Sequence, residues 1–332
     1  MKKTLALLAA AAFLLAGCTK EQPATTVAGD EVLADFTVAI PAETTKATAD
    51  NDGFGAGVAR VKLQVWWTDR GTGKEDVLVY DQANACSSAT DLKTTFSGIS
   101  LIKGQNYGFL FWADNGQVYT TGTATADSRD KDGYYTTQDL HGVTIKVAAS
   151  KDAKAGTDAR DAFFACVEKT NVTAAFSENV ELYRPFAQLN VITTDLKAIY
   201  DQLPDKSANS TVTPDKVSVT YTAPTKFNVL SGEATDADTY TYTLPVYNKD
   251  NTKDANTLSM DYIFSSTEGS VETISFVAKN DETGLTNIDY TFTNIPLKRN
   301  WRTNIKGDLL SNPAAFNVEV KPAWTGEYDE TI

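Results

Sequence analysis

Histidine is almost absent from this 332-residue chain, which holds one, together with three cysteines and two methionines. That scarcity excludes His-rich metal sites, and three scattered cysteines exclude a disulfide framework. Basic residues are short as well: 30 Lys and Arg stand against 43 Asp and Glu, a formal charge of −13. Nucleic acid and anionic lipid both need clustered Lys or Arg, so neither is expected as the main partner. No glycine-rich phosphate loop with a following Lys-Ser or Lys-Thr occurs, and no cofactor is implied. What is present is aromatic and β-branched: 14 Tyr, 15 Phe and 5 Trp, with much Thr and Val. Such side chains favour strands, and the length predicts about two domains. The composition describes an acidic, mostly β protein and argues against an enzyme.

Lys2 and Lys3 precede an apolar run from Thr4 to Ala16 that ends in small residues. As a helix it would rise about 20 Å, short of a hydrocarbon core of about 30 Å. It reads as a secretory signal, outside the folded protein. Its end, Leu15-Ala16-Gly17-Cys18, resembles a bacterial lipobox, which implies lipidation of Cys18 as the new N-terminus. Loss of Lys2 and Lys3 takes the formal charge to −15. No later segment could span a bilayer, so the lipid alone would hold the protein to the outer membrane. Thr19-Lys20-Glu21-Gln22 resembles the short charged signal that sends lipoproteins of the Bacteroides lineage to the cell surface.

A polar tether from Glu21 to Gly29 leads into alternating stretches bounded by Gly, Asn, Asp or Pro. In the first half these are Asp35–Ile40, Val61–Trp67, Val77–Tyr80, Tyr107–Trp112 and Val143–Val147. The second half adds Leu189–Thr193, Lys216–Tyr221, Thr239–Val246, Thr257–Phe264, Glu272–Ala278, Ile288–Phe292 and Phe316–Val320. Many short strands without βα alternation predict an all-β fold, two antiparallel sandwiches in tandem. One short helix is expected in the second, capped by Thr194-Asp195 over Leu196–Leu203 and ended by Pro204. The expected division is a signal at 1–17, a lipidated tether at 18–33, and domains at 34–181 and 182–332.

Three segments carry a resemblance. Leu182-Tyr183-Arg184-Pro185-Phe186-Ala187-Gln188-Leu189-Asn190-Val191 resembles the opening of the second domain in fimbrillin-like proteins of the type V pilus system. Pro296-Leu297-Lys298-Arg299-Asn300-Trp301-Arg302-Thr303-Asn304-Ile305-Lys306-Gly307-Asp308-Leu309-Leu310 resembles the late strand of that family, and Asp158-Ala159-Arg160-Asp161-Ala162-Phe163-Phe164 fits it more loosely. The resemblance implies a lipidated, non-enzymatic precursor with two sandwiches. It further implies that a protease removes the first strand and that a neighbouring pilus subunit fills the groove.

The residues bear on that implication directly. Phe36, Val38 and Ile40 share one face of the leading strand, because strand side chains alternate. Phe316, Val318 and Val320 repeat the pattern near the other end, so the two strands offer nearly the same side chains to a groove. Three such burials stabilise by about 5–9 kcal/mol before ordering costs. Pairing of Phe316–Val320 inside its own domain is the other reading, and Trp324, Tyr328 and Ile332 form a further docking candidate. Cleavage is expected between Lys46 and Ala47, ahead of a small, polar, Gly-rich stretch that a protease can thread. Family processing resembles cleavage after Arg; the nearest here is Arg60, beside a strand.

The remaining candidates are weaker. His141 stands alone in Leu140-His141-Gly142 and reads as a turn residue. Cys86 and Cys166 are open to pairing or to remaining free. Asp127-Ser128-Arg129-Asp130-Lys131-Asp132-Gly133 loosely resembles a calcium loop but has Thr137 and Gln138 where a closing acid is needed, so no metal is expected. Asn171-Val172-Thr173 and Asn209-Ser210-Thr211 match glycosylation sequons. Trp66, Trp67 and Trp112 raise a second function, an exposed aromatic platform for glycans on a permanently lipidated surface protein. Adjacent Trp66 and Trp67 must point to opposite faces.

Overall fold

The computed structural model describes residues 30–40, 58–87, 92–119, 133–146, 156–202, 214–247, 250–267, 270–279, 288–311, 316–322 and 330–331. Nine strands lie in the first part of the chain: β1 (Glu31–Ala39), β2 (Arg60–Thr68), β3 (Val77–Ala85), β4 (Lys93–Ile102), β5 (Gln105–Asp114), β6 (Tyr135–Thr136), β7 (Val143–Ile145), β8 (Phe163–Val172) and β9 (Phe176–Glu181). The second part holds β10 (Phe186–Thr193), α1 (Leu196–Asp201), β11 (Lys216–Asn228), β12 (Glu233–Pro245), β13 (Asn256–Phe264), β14 (Ser270–Lys279), β15 (Ile288–Leu297), β16 (Trp301–Gly307), β17 (Phe316–Pro322) and β18 (Glu330–Thr331). The all-β architecture expected from the sequence is what the chain adopts.

The first sandwich stacks the sheet β4-β1-β9 on the sheet β3-β2-β5-β8. Alternation in β1 sends Val32, Ala34, Phe36, Val38 and Ile40 inward, where they meet Leu63, Phe96, Phe109, Phe111 and Val180 in one core. The second sandwich stacks β13-β10-β16-β17-β18 on β15-β14-β11-β7-β6, with β12 also paired to β11. Its core gathers Leu189, Val219, Phe276, Phe292 and Ile305. In both, the opening strand pairs parallel with a late one, β1 with β9 and β10 with β16. These parallel pairs depart from the wholly antiparallel expectation. They arise because the first strand of each sandwich lies inside its sheet, and the chain returns to its free side in the same direction.

Two further details differ from expectation. The strands β6 and β7 precede residue 181, yet they complete the sheet of the second sandwich, through Lys226 beside Thr144 and Phe227 beside Val143. The helix stops at Asp201, and the Asp195 side chain makes no capping bond. Asp195 instead accepts from the Thr193 hydroxyl, so a neighbouring side chain has taken the carboxylate that the N-cap motif reserves for backbone N–H groups.

A third core joins the sandwiches. The outer face of β5 and β8 contributes Leu110, Trp112 and Phe164, and the second half contributes Phe186, Phe227, Met260 and Phe264, with Tyr135 between them. Phe186 stacks on Phe264 at 5.1 Å between ring centroids and Phe227 on Phe264 at 5.6 Å. Phe264→Ala is expected to cost about 3–5 kcal/mol. Urea unfolding followed by fluorescence and circular dichroism should then show two transitions, where the wild-type chain is expected to show one.

Candidate functional site: the first strand and its slot

β1 is an inner strand, and both its edges are used. It runs antiparallel to β4, with Glu31 opposite Ile102 and Ala39 opposite Lys93. On its other side Ala34–Ala39 runs parallel to Phe176–Glu181. At its C-terminal end, Ile40 N–H donates to Leu92 O at 3.0 Å and Leu182 N–H donates to Ala39 O at 3.0 Å. Phe36 is 1% exposed and sits in an aromatic box, its centroid 4.8 Å from Phe109, 5.3 Å from Phe111 and 5.7 Å from Phe176. The register slips between Ala34 and Phe36, where Gly98 takes a φ of +69°. An L side chain adopts that φ with strain, so glycine suits the bulge. Gly98 N–H then donates to Asp35 Oδ1 at 2.7 Å. This bond adds to the register already set by the two ladders and the buried face.

The other expected assembly residues lie apart from this slot. Phe316, Val318 and Val320 are in β17, which pairs with β16 of its own sheet, Val318 opposite Ile305 and Val320 opposite Thr303. Phe316 meets Phe292 edge-on at 5.0 Å and packs on the second core. In the single chain this segment pairs within its own domain. Cys18, Lys46, Ala47, Asn209, Trp324, Tyr328, Ile332 and the acidic stretch Asp127–Asp132 lie outside the described residues.

The aromatic platform is not formed. Trp67 packs against the first core, and Trp66 turns to the junction core. Trp112 is fully buried there, its Nε1–H donating to Asp114 Oδ2 at 3.1 Å. The three share no surface, because Trp112 lies under the second sandwich. His141 occupies a short helical turn, with Nδ1 2.9 Å from Asp139 Oδ1. The hydrogen bond from His141 holds the Asp139 carboxyl below its usual value. Cys86 and Cys166 are free. Burial pushes their thiols up to about 11 and about 12.

Sequence reading missed a set of buried ion pairs. Arg60, Lys62 and Gln64 alternate on the outer face of β2, a pattern that reads as a solvent face, yet all three are buried. Arg60 Nε donates to Asp114 Oδ1 at 2.6 Å and its Nη2 to Thr137 Oγ1 at 3.0 Å. Lys62 donates to Thr137 O, and Gln64 Nε2 donates to Gln138 O at 2.7 Å. Thr137 and Gln138, weighed as calcium-loop positions, thus serve as hydrogen-bond partners of the strand beneath. The three family-like segments also meet. Arg184 Nε and Nη2 grip Asp161 at 2.7 Å each, a bidentate pair between two of them. The Arg299 guanidinium, from the third, lies 5.1 Å over Phe164. Asn190 Nδ2 donates to Asn304 Oδ1 at 2.9 Å where β10 and β16 run side by side.

A family model described as a family of unknown function (DUF6562) matches residues 25–332. The chain belongs to that family. A comparison with curated proteins returns no match. Among solved structures, the chain is similar to the tip fimbrial protein Mfa3 of Porphyromonas gingivalis, C-terminally truncated, at 13% identity and a TM-score of 0.48, over 88% of this chain and 98% of that one. It is similar to the fimbrial anchor protein Mfa2 of the same organism at 11% identity and a TM-score of 0.46, over 87% and 97%. A fimbrial assembly protein of Parabacteroides distasonis gives 10% identity and a TM-score of 0.46, over 91% and 100%.

Because only the thiolate attacks, raised thiol pKa values slow alkylation. With Cys18 replaced by Ala, Cys86 and Cys166 should react with iodoacetamide at pH 8 at least about 100-fold more slowly than free cysteine, Cys166 the slower of the two. The rate should climb as pH rises towards 11, followed by mass spectrometry.

Proposed function

We propose that the chain is a structural, non-catalytic subunit of a surface pilus. It is exported as a lipoprotein anchored through Cys18 and joined to other subunits by strand exchange. A processing protease cuts the chain between Lys46 and Ala47, and the slot of β1 then takes a strand from another subunit. The observation that carries this reading is the position of β1. The first described strand is an inner strand that, with Ile40 just beyond it, puts five side chains in the core, so its replacement from outside restores both the sheet and the core. A vacant slot would leave two strand edges and an apolar trough open to water, a strongly adhesive surface.

The resemblance of the three family-like segments to fimbrillin-like proteins supports the same reading. The donor in this proposal is the segment holding Phe316, Val318 and Val320 of another copy. Since β17 pairs with β16 in the single chain, donation requires that this strand first leave its own sheet. The glycan reading loses its support with Trp112 buried.

Protein sheared from the surface of its native cell should show, by intact mass and N-terminal sequencing, a chain beginning at Ala47. A lipidated Cys18 start with no shorter species would overturn processing and leave a cell-bound protein.

A further inference from the structure

The geometry of β1 bears on what a cut between β1 and β2 does to the slot. Among the described residues, the contacts that seat β1 are made with β4, β9 and the facing sheet, all of which follow residues 41–57 in the chain. A break there removes none of them. What it removes is the covalent tether, and with it the effective concentration that makes re-seating intramolecular. Val32, Ala34, Phe36, Val38 and Ile40 stay at 0–7% exposure, and both strand edges stay paired.

We infer that β1 remains seated after the cut as a non-covalent peptide ligand of its own sandwich. The cut chain stays held to whatever anchors its N-terminus until another strand displaces β1. The inference rests on the reading that the chain is cut between β1 and β2, and it changes what the cut does: it licenses exchange without freeing the subunit.

The slot also states what the displacing strand must bring. Its largest station is the aromatic box around Phe36, and the residue before it can accept a hydrogen bond from Gly98 N–H, as Asp35 does. Among the chain's phenylalanines only Phe36 follows an Asp or Asn; Phe316 follows Ala315. The Phe316 segment therefore fills the box and leaves the Gly98 donor without the Asp35 carboxylate. Residue for residue, β1 is the better ligand for this slot.

The test places a specific protease recognition sequence within residues 41–57 of the full chain and cuts the folded protein to completion. Size-exclusion chromatography with mass spectrometry should find the β1 fragment in the same peak as the body. A labelled synthetic peptide spanning Asp30 to Pro41 should replace it, and a peptide spanning Asn312 to Pro322 should do so less completely at equal concentration. Phe36→Ala should speed loss of the fragment at least about 100-fold, while Leu33→Ala, on the exposed face, should leave it unchanged. A wild-type fragment that elutes alone without competitor, or a body that precipitates and leaves the fragment in solution, overturns the inference. An uncut chain on native cells would retire the processing reading while the seated strand still stood on the engineered cut.

Discussion

The sheet formed by β3, β2, β5 and β8 must be covered on both faces of its central strands β2 and β5, and much of the molecule follows from that. Its inner face closes the first sandwich, and its outer face meets the second sandwich and the Thr137–Leu140 stretch. A strand carrying Arg60, Lys62 and Gln64 on that outer face can be covered only if each polar head finds a partner. Asp114, Thr137 and Gln138 supply them. Removing one partner alone would strand a buried charge, which is far more costly than the net worth of the pair.

That constraint explains why β6 and β7 cross to the second sandwich. A segment that follows β5 and lies over this face ends against Phe227 and Phe264, and its backbone groups find strand partners in β11. The junction is therefore built like a core, with stacked rings and a bidentate Arg184–Asp161 pair at its border. The two sandwiches meet there as packed layers, whereas the slot of β1 lies in the opposite sheet of the first sandwich.

The sequence made β1 legible because Phe36, Val38 and Ile40 alternate with polar residues on a half-buried strand. Burial beginning at Val32 was not read, since Leu33 blurs the alternation. β4 and β9 were missed altogether. Ser97-Gly98 interrupts the first with a bulge, and Phe176–Glu181 carries Ser, Asn and two Glu that resemble a loop. Those two strands are the walls of the slot, so the ligand could be read and its binding site could not. The ion pairs stayed hidden for a related reason. A cationic stripe on one strand looks the same whether water or another sandwich covers it, and the covering residues lie far away in sequence. The family-like segments were visible as patterns, but that they converge on one junction is a property of the fold alone.

The parallel pairing of β1 with β9 has a mechanical consequence. The chain enters the slot at the start of β1 and leaves for the second sandwich at the end of β9. A pull between an anchored N-terminus and the far half of the molecule therefore drags the two strands along their length in opposite directions. Their hydrogen bonds are loaded together, in shear, and none can be peeled open ahead of the rest. An inner strand held this way resists drag on the whole molecule, yet it can still be replaced by a competitor that threads in one residue at a time.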